Sequence, residues 1–211
     1  MSLKHKLKPL FTREHIQTKT TEIAKKITDD YQGKKPVLIG ILKGSFIFMA
    51  DVIRDIDIDI TIEFVHISSY GSSKTSSGIC VLQKDIDTDI KDRDIIIIED
   101  IVDSGTTLDF FIKKLEERKP ASIKTCALIN KMIRREKDIP IDYYGFDIKD
   151  EFIVGYGLDY NEQFRNLSGI YELLDWAKLN PKDPKLQGVW DNNKTRKIVV
   201  PEFSEREHPK P

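Results

Sequence analysis

Apolar residues recur at Ile16, Ile23, Ala24, Ile27 and Tyr31, the spacing of one face of an α-helix, and Thr12 stands where a capping residue belongs. The pattern predicts a helix over 12–31, ended by Gly33. The short apolar run PVLIGIL (36–42) then reads as a buried strand, and after LKGS (42–45) the run FIFMADVI reads as a helix with Ser45 near its start. ITIEFVHI (60–67) alternates and is rich in β-branched residues, as a strand requires, and ICVLQKD (79–85) resumes the same character. Asp85 to Asp94 mixes acids with isoleucine, lysine and arginine and reads as a solvated turn. Four consecutive isoleucines in IIIIED (95–100) suit a parallel strand covered on both faces. TLDFFIKKLEE (107–117) is helical, Pro120 stops it, and SIKTCALI (122–129) is another strand. YYGFDI (143–148) and FIVGYGL (152–158) add two short strands. Strand, turn, helix, strand is a βαβ unit, so the fold class expected is α/β, a mainly parallel twisted sheet flanked by helices.

Two stretches break this pattern. Residues 68–78, SSYGSSKTSSG, hold six serines, a threonine and two glycines with almost nothing to bury. Such a segment is either a flexible surface turn or a lid over a ligand, because long loops inside a compact domain are uncommon without a role. From about 180 the chain becomes charged and proline-rich, with prolines at 181, 184, 201, 209 and 211. It cannot form a core of its own. The expected division is therefore a domain over 1–180 and a C-terminal extension over 181–211.

Length and charge narrow the picture further. A chain of 211 residues fits one α/β domain with a short appendage. Lys+Arg (34) and Asp+Glu (35) nearly cancel, so nothing electrostatic points to nucleic acid or an anionic membrane as main partner. No apolar run approaches the roughly 18 residues of a membrane span, and the start MSLKHKLKPLF lacks a signal-peptide core, so the expected location is cytoplasmic. Cys80 and Cys126 could pair with each other, but each sits in an apolar or strand-like stretch and free thiols are expected. The four histidines are scattered, without metal-ligand spacing.

The chemistry concentrates in IIIIEDIVDSGTTL, 95–108. A buried strand ends in two acids, Glu99 and Asp100; a turn from Ile101 to Gly105 carries Asp103; a helix begins near Thr106–Thr107. Backbone N–H groups from Asp103 to Thr107, the helix dipole, and the hydroxyls of Ser104, Thr106 and Thr107 together make a phosphate cradle. Adjacent acids at the carboxyl end of a parallel strand suit sugar hydroxyls and a divalent cation. An acidic loop with a serine/threonine helix cap is the plainer reading, but it leaves two acids after four buried isoleucines unexplained.

EDIVDSGTT resembles the phosphoribosyl pyrophosphate signature of the type I phosphoribosyltransferases. LKGS resembles the pyrophosphate loop of the hypoxanthine (hypoxanthine–guanine) branch, SSYGSSKTSSG its mobile lid, and VGYGLDYNEQFR (154–165) its base-and-metal segment. The resemblance spans roughly residues 9–178 and implies the type I fold, with a small hood built from the N-terminal and C-terminal segments. It implies a purine-salvage transferase that moves the phosphoribosyl group from phosphoribosyl pyrophosphate to hypoxanthine and guanine, with Mg²⁺ as cofactor. It also implies a homodimer or homotetramer. By the same resemblance Glu99 and Asp100 hold the ribose hydroxyls and help place Mg²⁺, and Asp103, Ser104, Gly105, Thr106 and Thr107 wrap the 5′-phosphate. Asp103 is then the general base at the purine N7, and Lys131 contacts the purine O6. Phe152 stacks on the base, Ile153 meets its edge through backbone groups, and Asp159 is a second metal contact through water. Arg165, Lys43 and Gly44 bind pyrophosphate, Ser69 and Tyr70 form the hinge side of the lid, and Leu42–Lys43 is a cis peptide.

Each assignment has a plainer counterpart. Lys131 begins the basic run KMIRR and could be a solvated charge; Phe152 could be core; Arg165 and Asp159 could pair with each other across a turn. Two other functions compete: a sensor of phosphoribosyl pyrophosphate, and a transferase for another base, xanthine being the nearer rival. The absence of a basic surplus and the acid at 103 speak against the sensor.

Overall fold

The computed structural model describes residues 7–70 and 79–174. Most of the serine-rich segment and the whole extension after 181 lie outside the described residues.

The described chain forms two compact units, one of residues 16–150 and one joining 7–15 to 151–174. Strand β1 (Leu7–Phe11) opens the second unit, and helix α1 (Arg13–Asp30) follows, with the Thr12 hydroxyl accepting the His15 N–H at 3.1 Å as the predicted cap. Ile16, Ile23, Ala24 and Ile27 are its buried stripe. Then come β2 (Val37–Leu42), α2 (Phe46–Asp55), β3 (Thr61–Tyr70), β4 (Ile79–Lys84), β5 (Asp94–Val102), α3 (Thr106–Glu116), β6 (Ser122–Lys131) and β7 (Tyr143–Ile148).

These last six strands make one sheet in the order β4-β3-β2-β5-β6-β7, parallel except for β4 against β3. The four isoleucines of β5 are fully buried at its centre, between β2 and β6. From β2 the chain returns to β3 on one side, and from β5 it returns to β6 on the other. The gap between the carboxyl ends of β2 and β5 is thus the topological switch point, where open α/β sheets bind ligands.

Three expectations are corrected. The strand of isoleucines runs on through Glu99 and Asp100 to Val102, in register with β6 as Ile101 with Ile129 and Val102 with Asn130. The turn before α3 is therefore shorter than predicted. The stretch 85–94 is not wholly solvated, because Ile86 and Ile90 are buried in the main core. FIVGYGL forms only the two-residue strand β8 (Ile153–Val154), since Gly155, Tyr156 and Gly157 all turn to positive φ (103°, 51°, 101°).

The smaller unit holds an antiparallel sheet in the order β1-β9-β8, with β9 at Ile170–Leu173. Leu7, Val154, Phe164, Leu167, Tyr171 and Leu173 form its core. Neither β1 nor β9 carries a strand signal in its own periodicity, yet they join the N-terminal and C-terminal segments in one small sheet. Cys80 and Cys126 are both free thiols, and burial pushes the Cys126 thiol up.

Candidate active site

Three neighbouring strands deliver the expected residues of the larger unit to one end of its sheet. The end of β2 supplies Lys43 and Gly44, with Leu42–Lys43 in the cis form. The backbone of Gly44 lies directly on the carboxylate of Asp100, so that a Cβ at this position would overlap it. Only glycine allows this approach. Ser45 stands at the start of α2 without capping it; its hydroxyl donates instead to the Ile41 carbonyl at 2.6 Å.

The end of β5 supplies the acids. Glu99 is buried, and Asp100 beside it is half-buried, with one carboxylate oxygen accepting the Ile101 N–H at 3.0 Å. Burial, and then the neighbouring Asp100 charge, hold the Glu99 carboxyl well above the usual carboxylate range. Gly105 caps α3 at φ 82°, and the Ser104 hydroxyl donates to Thr106 Oγ1 at 3.1 Å while accepting the Thr106 N–H at 3.3 Å. Asp103, Ser104, Gly105, Thr106 and Thr107 therefore form a tight turn into a helix N-terminus, the geometry that binds phosphate.

The end of β6 supplies Lys131, which is the last residue of that strand rather than a residue beyond it. It is 4% exposed, so the reading of a solvated charge is wrong. Its ammonium lies 3.7 Å from Asp103 Oδ2 and 3.4 Å from Asp150 Oδ1. Asp150 is bound in turn by Arg134, at 2.7 and 3.1 Å, which pulls its carboxyl below the usual range. The other oxygen of Asp103, Oδ1, is buried with no hydrogen bond among the described residues. A buried carboxylate oxygen left without a donor is costly, which makes it a place where a ligand proton fits.

The smaller unit holds Phe152, Ile153, Asp159 and Arg165. Ile153 is buried in β8, and Phe152 is half-buried with its ring edge-on to Tyr160 at 5.7 Å. Arg165 and Asp159 do pair, at 2.8 Å, as the plainer reading has it. Arg165 also donates to the Gly157 carbonyl at 2.8 Å and meets Glu162 at 3.2 Å, while its Nε is buried without a partner among the described residues. Asp159 accepts the Glu162 N–H at 2.8 Å through its second oxygen. Ser69 and Tyr70 end β3, pairing through the backbone with Cys80 and Ile79, and 71–78 lies outside the described residues.

Among the described residues no group of three histidine, cysteine or acidic side chains could hold a metal by itself. What the chain offers is the adjacent pair Glu99 and Asp100, whose mutual repulsion a divalent cation would relieve. Mg²⁺ is ordinarily held by one or two carboxylates together with substrate oxygens and water, so the donors fit it.

Sequence reasoning passed over Asp150, Arg134 and Arg135, and over Asn130 and Asp147, whose side chains bond at 2.7 Å across β6 and β7. The basic run after β6 was visible; that it folds back onto the turn was not.

The phosphoribosyl transferase domain family matches residues 10–161. The hypoxanthine-guanine phosphoribosyltransferase of Bacillus subtilis (strain 168) is 46% identical over 166 residues, covering 78% of this chain and 92% of that protein. The chain belongs to the hypoxanthine–guanine phosphoribosyltransferase family. The hypoxanthine phosphoribosyltransferase of Salmonella typhimurium (strain LT2) is 40% identical over 177 residues, covering 82% of this chain and 99% of its own. A crystal structure of a hypoxanthine phosphoribosyltransferase from Staphylococcus aureus superposes with a TM-score of 0.80 at 43% identity, covering 83% of this chain and 96% of that one. Family membership accounts for the architecture, a mostly parallel sheet in a mixed α/β fold.

Proposed function

We propose that this protein is a purine-salvage hypoxanthine phosphoribosyltransferase, transferring the 5-phosphoribosyl group of phosphoribosyl pyrophosphate to hypoxanthine and guanine and releasing pyrophosphate. The observation that carries this reading is the buried Oδ1 of Asp103, which has no hydrogen bond among the described residues, beside the buried ammonium of Lys131. In the transfer, the bond from ribose C1 to pyrophosphate breaks, positive charge develops on the sugar, and a purine nitrogen attacks. Little covalent chemistry is asked of the protein; its work is orientation and charge compensation.

Asp103 to Thr107 would wrap the 5′-phosphate, and Glu99 and Asp100 would receive the ribose hydroxyls. Glu99 and Asp100 would hold Mg²⁺, with Asp159 as a second candidate contact, and the cation would supply charge neutralisation for the pyrophosphate. Asp103 takes the purine proton as the new bond forms. Lys131 favours a 6-oxo group over a 6-amino group, since an ammonium donates to the first and opposes the second. Phe152 and the backbone of Ile153 would contact the base, and Arg165, Lys43 and Gly44 the pyrophosphate, Arg165 exchanging its pairing with Asp159 and Glu162 for the anion. Ser69 and Tyr70 would flank a lid that keeps water from the activated sugar. No helix among the described residues is long and apolar enough to cross a membrane. The protein is taken to work in the cytoplasm as a homodimer or homotetramer.

The test is nucleotide formation followed spectrophotometrically with Mg²⁺, offering hypoxanthine, guanine, xanthine and adenine in parallel. Hypoxanthine should turn over and adenine should not; Asp103→Ala should lower kcat roughly 100-fold or more. If phosphoribosyl pyrophosphate binds but no purine turns over, the sensor reading replaces this one.

A further inference from the structure

The phosphate turn is built as much by what holds its carbonyls as by its own residues. Arg135 reaches it from the segment after β6. Its Nε donates to the Asp103 carbonyl at 3.2 Å, and one terminal nitrogen donates to the Val102 carbonyl at 3.3 Å. The same nitrogen donates to Asn130 Oδ1 at 2.7 Å, and the other to the Ile139 carbonyl at 3.4 Å. Asn130 is itself fixed by donating to Asp147 at 2.7 Å. The next two residues complete the grip, because the N–H groups of Glu136 and Lys137 both donate to the Ser104 carbonyl, at 3.0 and 3.1 Å. The carbonyls of three consecutive residues, Val102, Asp103 and Ser104, are thus all taken by the 135–137 segment.

A trans peptide carries its N–H opposite its carbonyl. Fixing those carbonyls on one side therefore turns the N–H groups of Asp103, Ser104 and Gly105 to the other, which is what an anion-binding turn requires. Past Val102 the chain has left the β5 ladder and has not yet entered α3, so an outside brace holds the peptide planes of 103–105. Arginine suits this task because its planar fork presents several donors in fixed directions.

We propose that Arg135 is a positioning residue for 5′-phosphate recognition, locking the peptide planes of the 102–105 turn with their N–H groups toward the ligand. The proposal rests on the reading of this turn as the 5′-phosphate site. It separates two anions: a ligand carrying the ribose 5-phosphate should depend on Arg135, whereas free pyrophosphate, assigned to Lys43, Gly44 and Arg165, should not.

The experiment is calorimetric titration of Arg135→Met and Arg135→Lys with phosphoribosyl pyrophosphate and, separately, with inorganic pyrophosphate, each with Mg²⁺. We expect Arg135→Met to weaken phosphoribosyl pyrophosphate by at least about tenfold, Arg135→Lys to fall between it and wild type, and pyrophosphate to stay within about twofold in both. Loss of both ligands together in folded protein would show a merely structural role and overturn the proposal, as would unchanged affinity for phosphoribosyl pyrophosphate. Should Arg135→Met not fold, Arg135→Lys decides alone by the same comparison, since lysine keeps the charge but cannot span the carbonyls. Wild-type protein that binds phosphoribosyl pyrophosphate without turning over hypoxanthine sinks the assigned activity and leaves Arg135 to be judged by the titrations. Wild type that does not bind it sinks both.

Discussion

Glu99 sits at the end of four buried isoleucines, with a second carboxylate as its chain neighbour. Burial and the Asp100 charge both disfavour its ionised form, so in the ligand-free protein this side chain is a liability that only a ligand redeems. Lys131 shows the complementary arrangement: a buried cation between Asp103 and Asp150, placed by the last register position of β6 opposite Ile148. Replacing Glu99 by glutamine keeps the shape and removes the charge. The apparent Tm of the ligand-free protein should then rise by about 2–4 °C, on the order of 1 kcal/mol, while Mg²⁺-dependent turnover falls about 100-fold. Thermal scans beside a kinetic assay read both; a variant losing stability and activity together would mean that Glu99 is a structural residue.

The strand that carries these acids is legible because its burial is two-sided: a continuous run of isoleucine admits little else than the centre of a parallel sheet. That position makes β5 the element on which the larger unit depends. Ile97→Ala, at a fully buried site between Ile39 and Thr125, should cost about 3 kcal/mol and lower the apparent Tm by roughly 6–12 °C in thermal scans. Helix α1 and the turn into α3 were legible for similar local reasons, a 3.6-residue stripe with a hydroxyl cap and a glycine before a pair of threonines. The smaller unit was much less so. Strands β1 and β9 are short, lie more than 150 residues apart along the chain, and find each other only through antiparallel pairing such as Leu7 with Leu173. No periodicity within either one carries that information. FIVGYGL misled for the opposite reason: Ile153, Val154, Tyr156 and Leu158 are buried, but consecutive positive φ values at 155–157 fold the segment into turns. Lys131 and Arg135 looked alike in the run KMIRR; tertiary contacts alone separate the buried cation from the brace.

The sheet gathers the proposed binding segments, far apart in the chain around residues 43–44, 99–107 and 131, at the ends of three adjacent strands. Folding and ligand binding are therefore linked: a ligand that needs all three segments binds the folded state alone and stabilises the whole larger unit. The same linkage tests how the proposed Mg²⁺ is held. With two adjacent acids and no third ligating group among the described residues, the cation has too few protein donors to bind tightly without substrate oxygens. Mg²⁺ alone should move the apparent Tm by less than about 1 °C. Mg²⁺ with phosphoribosyl pyrophosphate at about 100 times its Kd should contribute about 2.7 kcal/mol, a rise of roughly 5–10 °C. Chelation by EDTA should remove most of that rise, and so should the double variant Glu99→Ala/Asp100→Ala. A full shift with Mg²⁺ alone would instead reveal a cation site complete without substrate. A full shift surviving EDTA would mean that the turn and the pyrophosphate loop hold the ligand unaided, and that the two acids serve the sugar rather than a metal.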